Sequence, residues 1–131
     1  PVDKENKIKI EILGENKMLG DRVRIGAVGT FKEEAGSVIC VYRPVTNGQG
    51  DFIQAGDNTV LVEMVGGVTA GSSGTINGAA IRVHKTQLKT HEGVPGLGND
   101  TILMFPVFLD TYQQVGWFPN DDMKIMAGGP G

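Results

Sequence analysis

The chemistry-bearing residues are few, and their spacing decides against most reaction machinery. The densest glycine run, Gly66 to Gly78 (GGVTAGSSGTING), has the texture of a phosphate-binding loop. Gly66 and Gly71 have the four-residue gap of such a loop, but Ser72 and Ser73 stand where a Lys and a Ser or Thr belong. The lysine that reaches the outer phosphates is missing. The residues that follow, TINGAAIRVH, read as strand, so no helix N-terminus completes an anion site. The run is expected to be a flexible connection between strands, with docking on a partner as its second use.

His84 and His91 are the two histidines, with Glu92 beside the second. The polar segment between them carries Lys85 and Lys89, which oppose a bound cation, and a zinc site needs three or four convergent ligands. His84 is expected to close a strand and His91 to lie in a loop. Of the three serines, Ser37, Ser72 and Ser73, none sits in a G-x-S-x-G elbow. Cys40, the single cysteine, lies among apolar residues in SVICVYR and is expected to be a small buried hydrophobe. The carboxylate pairs Glu33-Glu34 and Asp121-Asp122 are expected in turns, facing water. GVPGLGND (93–100) has the wrong spacing for a dinucleotide fingerprint and reads as a turn around Pro95-Gly96. No catalytic, cofactor-binding or metal-ligating residue is assigned on these grounds.

The elements that would position these residues are strands. Ile8, Ile10 and Ile12 alternate with Lys7, Lys9 and Glu11, and Val23 and Ile25 alternate with Arg22 and Arg24. Successive side chains of a strand point to opposite faces, so each pattern makes one oily and one wet face. In TVLVEMV (59–65), Val60, Val62 and Met64 are expected on one face, against Thr59, Leu61, Glu63 and Val65. SVICVYR, FIQ, GAAIRVH, TILMFPVFL, QVGWF and MKIM add further strands. Asn47-Gly48 and Asn77-Gly78 suit tight turns. TFKEEAG allows one helical turn, ended by Gly36. The expected fold is all-β, a small β-barrel or β-sandwich with glycine-rich loops.

One domain is expected over residues 1–131, with an arm at 1–6 and a tail at 127–131. The chain has 131 residues, net charge −3, 20 glycines and few aromatics (6%). That charge gives no basic surface for nucleic acid, and the few aromatics are scattered rather than interleaved with Lys or Arg as a base-stacking platform needs. Lys and Arg are absent from Pro44 to Ile81, whereas Asp51, Asp57 and Glu63 lie there. No apolar run is long enough to span a membrane. The opening PVDKENKIKI lacks the apolar segment of a secretory signal, and Pro1 is expected to follow a removed initiator Met. The sequon Asn99-Asp100-Thr101 then has no consequence.

Pro106 interrupts TILMFPVFL and cannot donate to a ladder, so an edge strand, a bulge or a bend is expected there. The same segment is apolar on both faces, Ile102, Met104, Pro106 and Phe108 on one and Leu103, Phe105, Val107 and Leu109 on the other. Either the strand is central in a two-layered core or a partner covers its second face.

In DFIQAGDNTVLVEMVGGVTAGSSGTINGAAIRV (51–83) a Gly-Asp turn introduces alternating strands joined by small residues. This quarter of the chain resembles the capsid decoration (cement) proteins of tailed-phage virions. The resemblance implies a non-enzymatic structural protein of a β-barrel or β-tulip body. It would be a homo-oligomer, a trimer by preference, seated on capsid or other virion subunits after assembly in the host cytoplasm, with a terminal arm touching neighbours and no cofactor. Val2, Asp3, Lys4, Val60, Val62 and Val68 are the residues expected at that interface. A tail-tube or head-completion component suits the same residues. Two other classes stay open: a small β-barrel binding a ligand or peptide, and an enzyme whose site forms only in an oligomer, using His84, His91 or Asp121.

Overall fold

The structure, a computed structural model, describes residues 17–26, 36–56, 58–88 and 98–126. The expected arm and tail, the alternating segment 7–13, the turn at Thr30, Glu33-Glu34 and His91 lie outside them. The described residues are mostly strand with almost no helix, an all-β fold. The strands are β1 (Arg22–Ile25), β2 (Val38–Pro44), β3 (Gln54–Gly56), β4 (Thr59–Val60), β5 (Val62–Thr69), β6 (Ser73–Ile76), β7 (Ile81–His84), β8 (Thr101–Leu109), β9 (Gln114–Pro119) and β10 (Met123–Ile125). Eight form one antiparallel sheet in the order β10-β1-β6-β8-β9-β2-β5, with β7 also pairing β8; β3 and β4 make a small separate ribbon.

The sheet must curl. Met123 of β10 and Val68 of β5 come from its two ends, yet both pack in one buried cluster with Val23, Ile25, Ile76, Val107 and Phe118. Six steps of ~4.8 Å would hold them about 29 Å apart in a flat sheet. Backbone bonds agree: just beyond β5, Gly71 N–H donates to Ile25 O of β1 (2.8 Å), and Ile25 N–H to Ser72 O (2.8 Å). Val23, Ile25, Ile76, Val107 and Phe118 are wholly excluded from solvent, each contributing about 1.5–3 kcal/mol by burial.

A second core lies on the opposite, outer face. Ile102 and Met104 of β8 pack there with Tyr42, Val62, Ile81, Val83 and Leu88. β8 is therefore apolar on both faces because it is a central strand between two cores. Pro106 sits in it without an edge. β8 pairs β7 through Thr101–Met104 and β6 through Val107–Leu109, and Pro106 falls where the neighbour changes. Its carbonyl accepts from Asn77 N–H (3.0 Å), so its missing N–H faces the break between β6 and β7.

One expectation about loops is corrected, and one about faces stops at a bulge. Val60, Val62 and Met64 do share the outer face, and the alternation ends at Met64, beyond which β5 carries a bulge. Tyr42 pairs with Met64 but Val41 with Gly66, leaving Val65 unopposed. The extra residue reverses the phase, so Val62 enters the outer core and Val68 the inner one. The glycine run is not a flexible connection. Gly66–Thr69 belong to β5, Ala70 to Ser72 form a tight turn with Gly71 at φ +95°, and Ser73 begins β6.

Candidate functional site

β7 ends at His84, and a 3-10 turn, Lys85–Gln87, follows. The turn is capped from within: His84 Nδ1 accepts from Thr86 N–H (3.3 Å) and is 2.8 Å from Thr86 Oγ1. With that nitrogen accepting, the ring proton sits on Nε2. Gln87 then reaches to the start of β5. Its Nε2 donates to Val60 O (2.9 Å) and its Oε1 accepts from Val62 N–H (3.0 Å). Beneath the β3–β4 ribbon this leaves a cleft of about 530 Å³, lined among others by Gly56, Thr59, Leu61, His84, Gln87 and Thr101.

Most polar groups of the cleft are spent on the fold. Thr101 Oγ1 donates to Gly98 O (2.9 Å) and accepts from Arg82 (2.8 Å), and both ends of the Gln87 amide are engaged. The Thr86 hydroxyl beside His84 has the spacing of a nucleophile and its base. However, the pair is exposed and two residues apart in one turn, and among the described residues no third group is bonded to orient the ring. Among the described residues no three His, Cys, Asp or Glu side chains converge as metal ligands. His84 is one of the cleft's lining residues, with its Nδ1 taken up by Thr86. The cleft does not assemble a catalytic constellation from its described residues.

The other candidates are dispersed. Ser72 Oγ donates to Thr69 O (2.7 Å), and Ser73 Oγ to Asp110 (3.0 Å). Cys40 is half-buried rather than buried: it faces outward, opposite to Ile39 and Val41, and pairs with Gly67, which has no side chain to cover it. Asp121 and Asp122 do lie in a 3-10 turn, but they are 5% and 6% exposed and do not face water. Of the expected interface residues, Val2, Asp3 and Lys4 lie outside the described residues. Val62 and Val68 are buried in the chain's own cores, 8% and 5% exposed, and Val60 is half-buried against the outer one. As folded, Val62 and Val68 have little side-chain surface to give a neighbour.

Two features escaped the sequence. Arg22 grips Asp110 with both guanidinium nitrogens, at 2.9 and 2.6 Å, and also donates to Thr75 (2.9 Å), which ties β1 and β6 to the β8–β9 turn. Arg22 holds the Asp110 carboxyl below the usual carboxylate range against the opposing effect of burial, with the Ser73 hydroxyl assisting. The second feature is the outer face beyond the second core. Val38 (74% exposed), Met64 (47%), Phe108 (37%) and Val115 (46%) all point to that side. Phe108 and Val115 are cross-strand neighbours, and Met64 pairs with the outward-facing Tyr42.

Known proteins offer no match: no family model, no curated protein and no solved structure matches this chain at a significant level.

Proposed function

We propose that this protein is a structural subunit that works by burying surface against neighbouring subunits, and that its setting is a phage capsid shell, which it decorates and stabilises. The observation that supports the assembly reading best is the outer sheet face with Val38, Met64, Phe108 and Val115 uncovered on it. Of these, Phe108 and Val115 are adjacent across the β8–β9 ladder, and exposed apolar side chains that adjoin mark interaction surfaces more often than scattered ones do. Depletion of lysine is typical of interfaces, and the stretch 44–81, which supplies Met64, has neither Lys nor Arg. The capsid setting rests on the likeness in residues 51–83, and a homo-oligomer, a trimer on the same ground, is its expected unit. The interface moves from the buried Val62 and Val68 to the exposed outer residues.

The test is co-sedimentation with particles from the source, followed by particle survival on heating. Wild type should travel with particles and raise their resistance to heat, and Val115→Asp, a change at an exposed site, should lower occupancy without unfolding the chain. A protein that stays with the soluble fraction, leaving particle stability unchanged, would refute the reading. The cleft at His84 supports the second reading, a small ligand-binding β domain. That reading predicts thermal stabilisation by metabolites.

A further inference from the structure

We infer that two copies of this chain pair antiparallel through the edge of β5 that no described strand occupies, about a twofold axis that passes between Val65 and Gly66. β5 ends the sheet order and pairs only with β2 among the described strands. The direction of its backbone groups follows from two bonds. Val62 N–H points off the edge to Gln87, and Thr69 N–H points off the edge to Tyr112 Oη (3.0 Å). Pairing is regular from Val62 to Met64 and again from Gly67 to Thr69. Alternation therefore turns the N–H and C=O groups of Met64 outward with those of Val62, and the groups of Gly67 outward with those of Thr69.

The bulge selects the occupant. On a regular strand the outward groups recur every two residues, ~6.8 Å apart. Here the bulge at Val65 sets Met64 and Gly67 three residues apart. A regular partner strand that matches one of them runs out of step at the other. A second copy carries the same three-residue interval. In the register that places Met64 opposite the partner copy's Gly67, the two outward pairs form together. Each then exchanges the N–H···O bonds of a hydrogen-bonded antiparallel pair. The same register sets Val62 opposite Thr69, so the ends capped by Gln87 and Tyr112 also coincide.

The side chains fit this register. Met64 and Gly67 both belong to the outer face, and the Met64 of one copy crosses over a residue with no side chain, next to the exposed Val38. Glu63 falls opposite Val68, so the two glutamates are not opposed, and each is already paired with its own Arg43 (2.9 Å). The edge also lacks the Lys and Pro residues that usually deter edge pairing. This contact would serve the assembly reading, but it is a property of the purified chain and is tested without particles, so either can fail alone.

The test combines sedimentation equilibrium with amide exchange. Wild type should reach twice its 13.9 kDa as concentration rises, and the Met64 and Gly67 amides should gain protection in step. Met64→Pro removes an outward N–H while leaving the β2 ladder intact, and Met64→Lys adds an edge charge. Either should weaken self-association by more than about tenfold with the circular dichroism of a folded β protein. A wild type that remains monomeric at ~100 µM, or an oligomer in which these two amides exchange freely, overturns the inference. So does a folded Met64→Lys variant that associates as strongly as wild type.

Discussion

Three single substitutions inside GGVTAGSSG separate a packed element from a pliable loop. At Gly74 an added Cβ would overlap Phe108 O, come within 2.6 Å of Val107 Cγ1 and lie 3.1 Å from Leu109 Cα. Two of those atoms are backbone of the central strand β8, so β6 itself must move. Its ladder with β8, Gly74 to Ile76 against Val107 to Leu109, would open. Overpacking of this kind costs typically 1–3 kcal/mol. Gly74 has no left-handed backbone, so the cost of Gly74→Ala is steric alone, and about 2–3 kcal/mol is expected. At Gly71 a Cβ meets nothing within 4 Å, but φ is +95°, so Gly71→Ala pays only conformational strain, about 1–2 kcal/mol. At Gly66 neither obstacle exists, and Gly66→Ala should lie within about 0.5 kcal/mol of wild type. For a chain of this size 1 kcal/mol moves Tm by about 3–5 °C, so thermal unfolding followed by circular dichroism resolves all three. Equal, small effects at the three positions would refute the reasoning and return the segment to a flexible connection.

Three further outcomes follow from the packing and hydrogen bonds of this fold. Phe118→Ala, which empties a wholly buried position of the inner core, should cost about 3–5 kcal/mol by urea unfolding. Gln87→Ala releases Val60 O and Val62 N–H and should cost about 1–2 kcal/mol, with faster amide exchange confined to the start of β5. Asp110→Asn should cost no more than about 1 kcal/mol at neutral pH, because the Arg22 and Asp110 side chains are 31% and 42% exposed and water screens them. Asp110 is held below its ordinary 3.8 in the folded state, so its contribution is present above that pH and is lost as pH falls through the lower folded value. Urea midpoints of variant and wild type should therefore converge in acid; a gap that widens there would refute the pairing.

Local alternation carried the strands but not the events between them. Val23 and Ile25 are legible as an inward face because two neighbouring apolar residues at period two have one place to go. The two-faced TILMFPVFL is legible as a buried strand for the same reason, and its second face is covered by the chain itself at Ile102 and Met104 but left open at Phe108. The bulge at Val65 is not legible. It is a mismatch between β5 and β2, strands drawn from separate parts of the chain, and the residues that mark it, Gly66 and Gly67, read in sequence as the start of a glycine-rich connection. One unopposed residue then exchanges the faces of everything beyond it, and for this reason Val62 and Val68 part company. Pro106 also misled through a partner: an N–H is needed only where a neighbour's carbonyl stands, and here β7 has ended before β6 begins.

The site was still less legible, for a related physical reason. Chemistry at His84 depends on where Gln87 and Thr101 place their polar groups, and the partners of Gln87, Val60 and Val62, lie 27 and 25 residues away in sequence. Arg22 and Asp110 are 88 residues apart, and nothing local announces either. Burial of Asp121 and Asp122 likewise depends on what packs over their turn, since acidic residues in a turn default to water. One signal did survive in the sequence: the absence of Lys and Arg from 44 to 81. Charge is the usual protection of a sheet edge, and the strand that ends the sheet, β5, falls in that stretch. The composition marks a stretch without Lys or Arg, and the fold puts an end strand of the sheet within it. The bulge adds what composition has no means to express, a spacing of backbone groups that another copy of this strand matches and a regular strand does not.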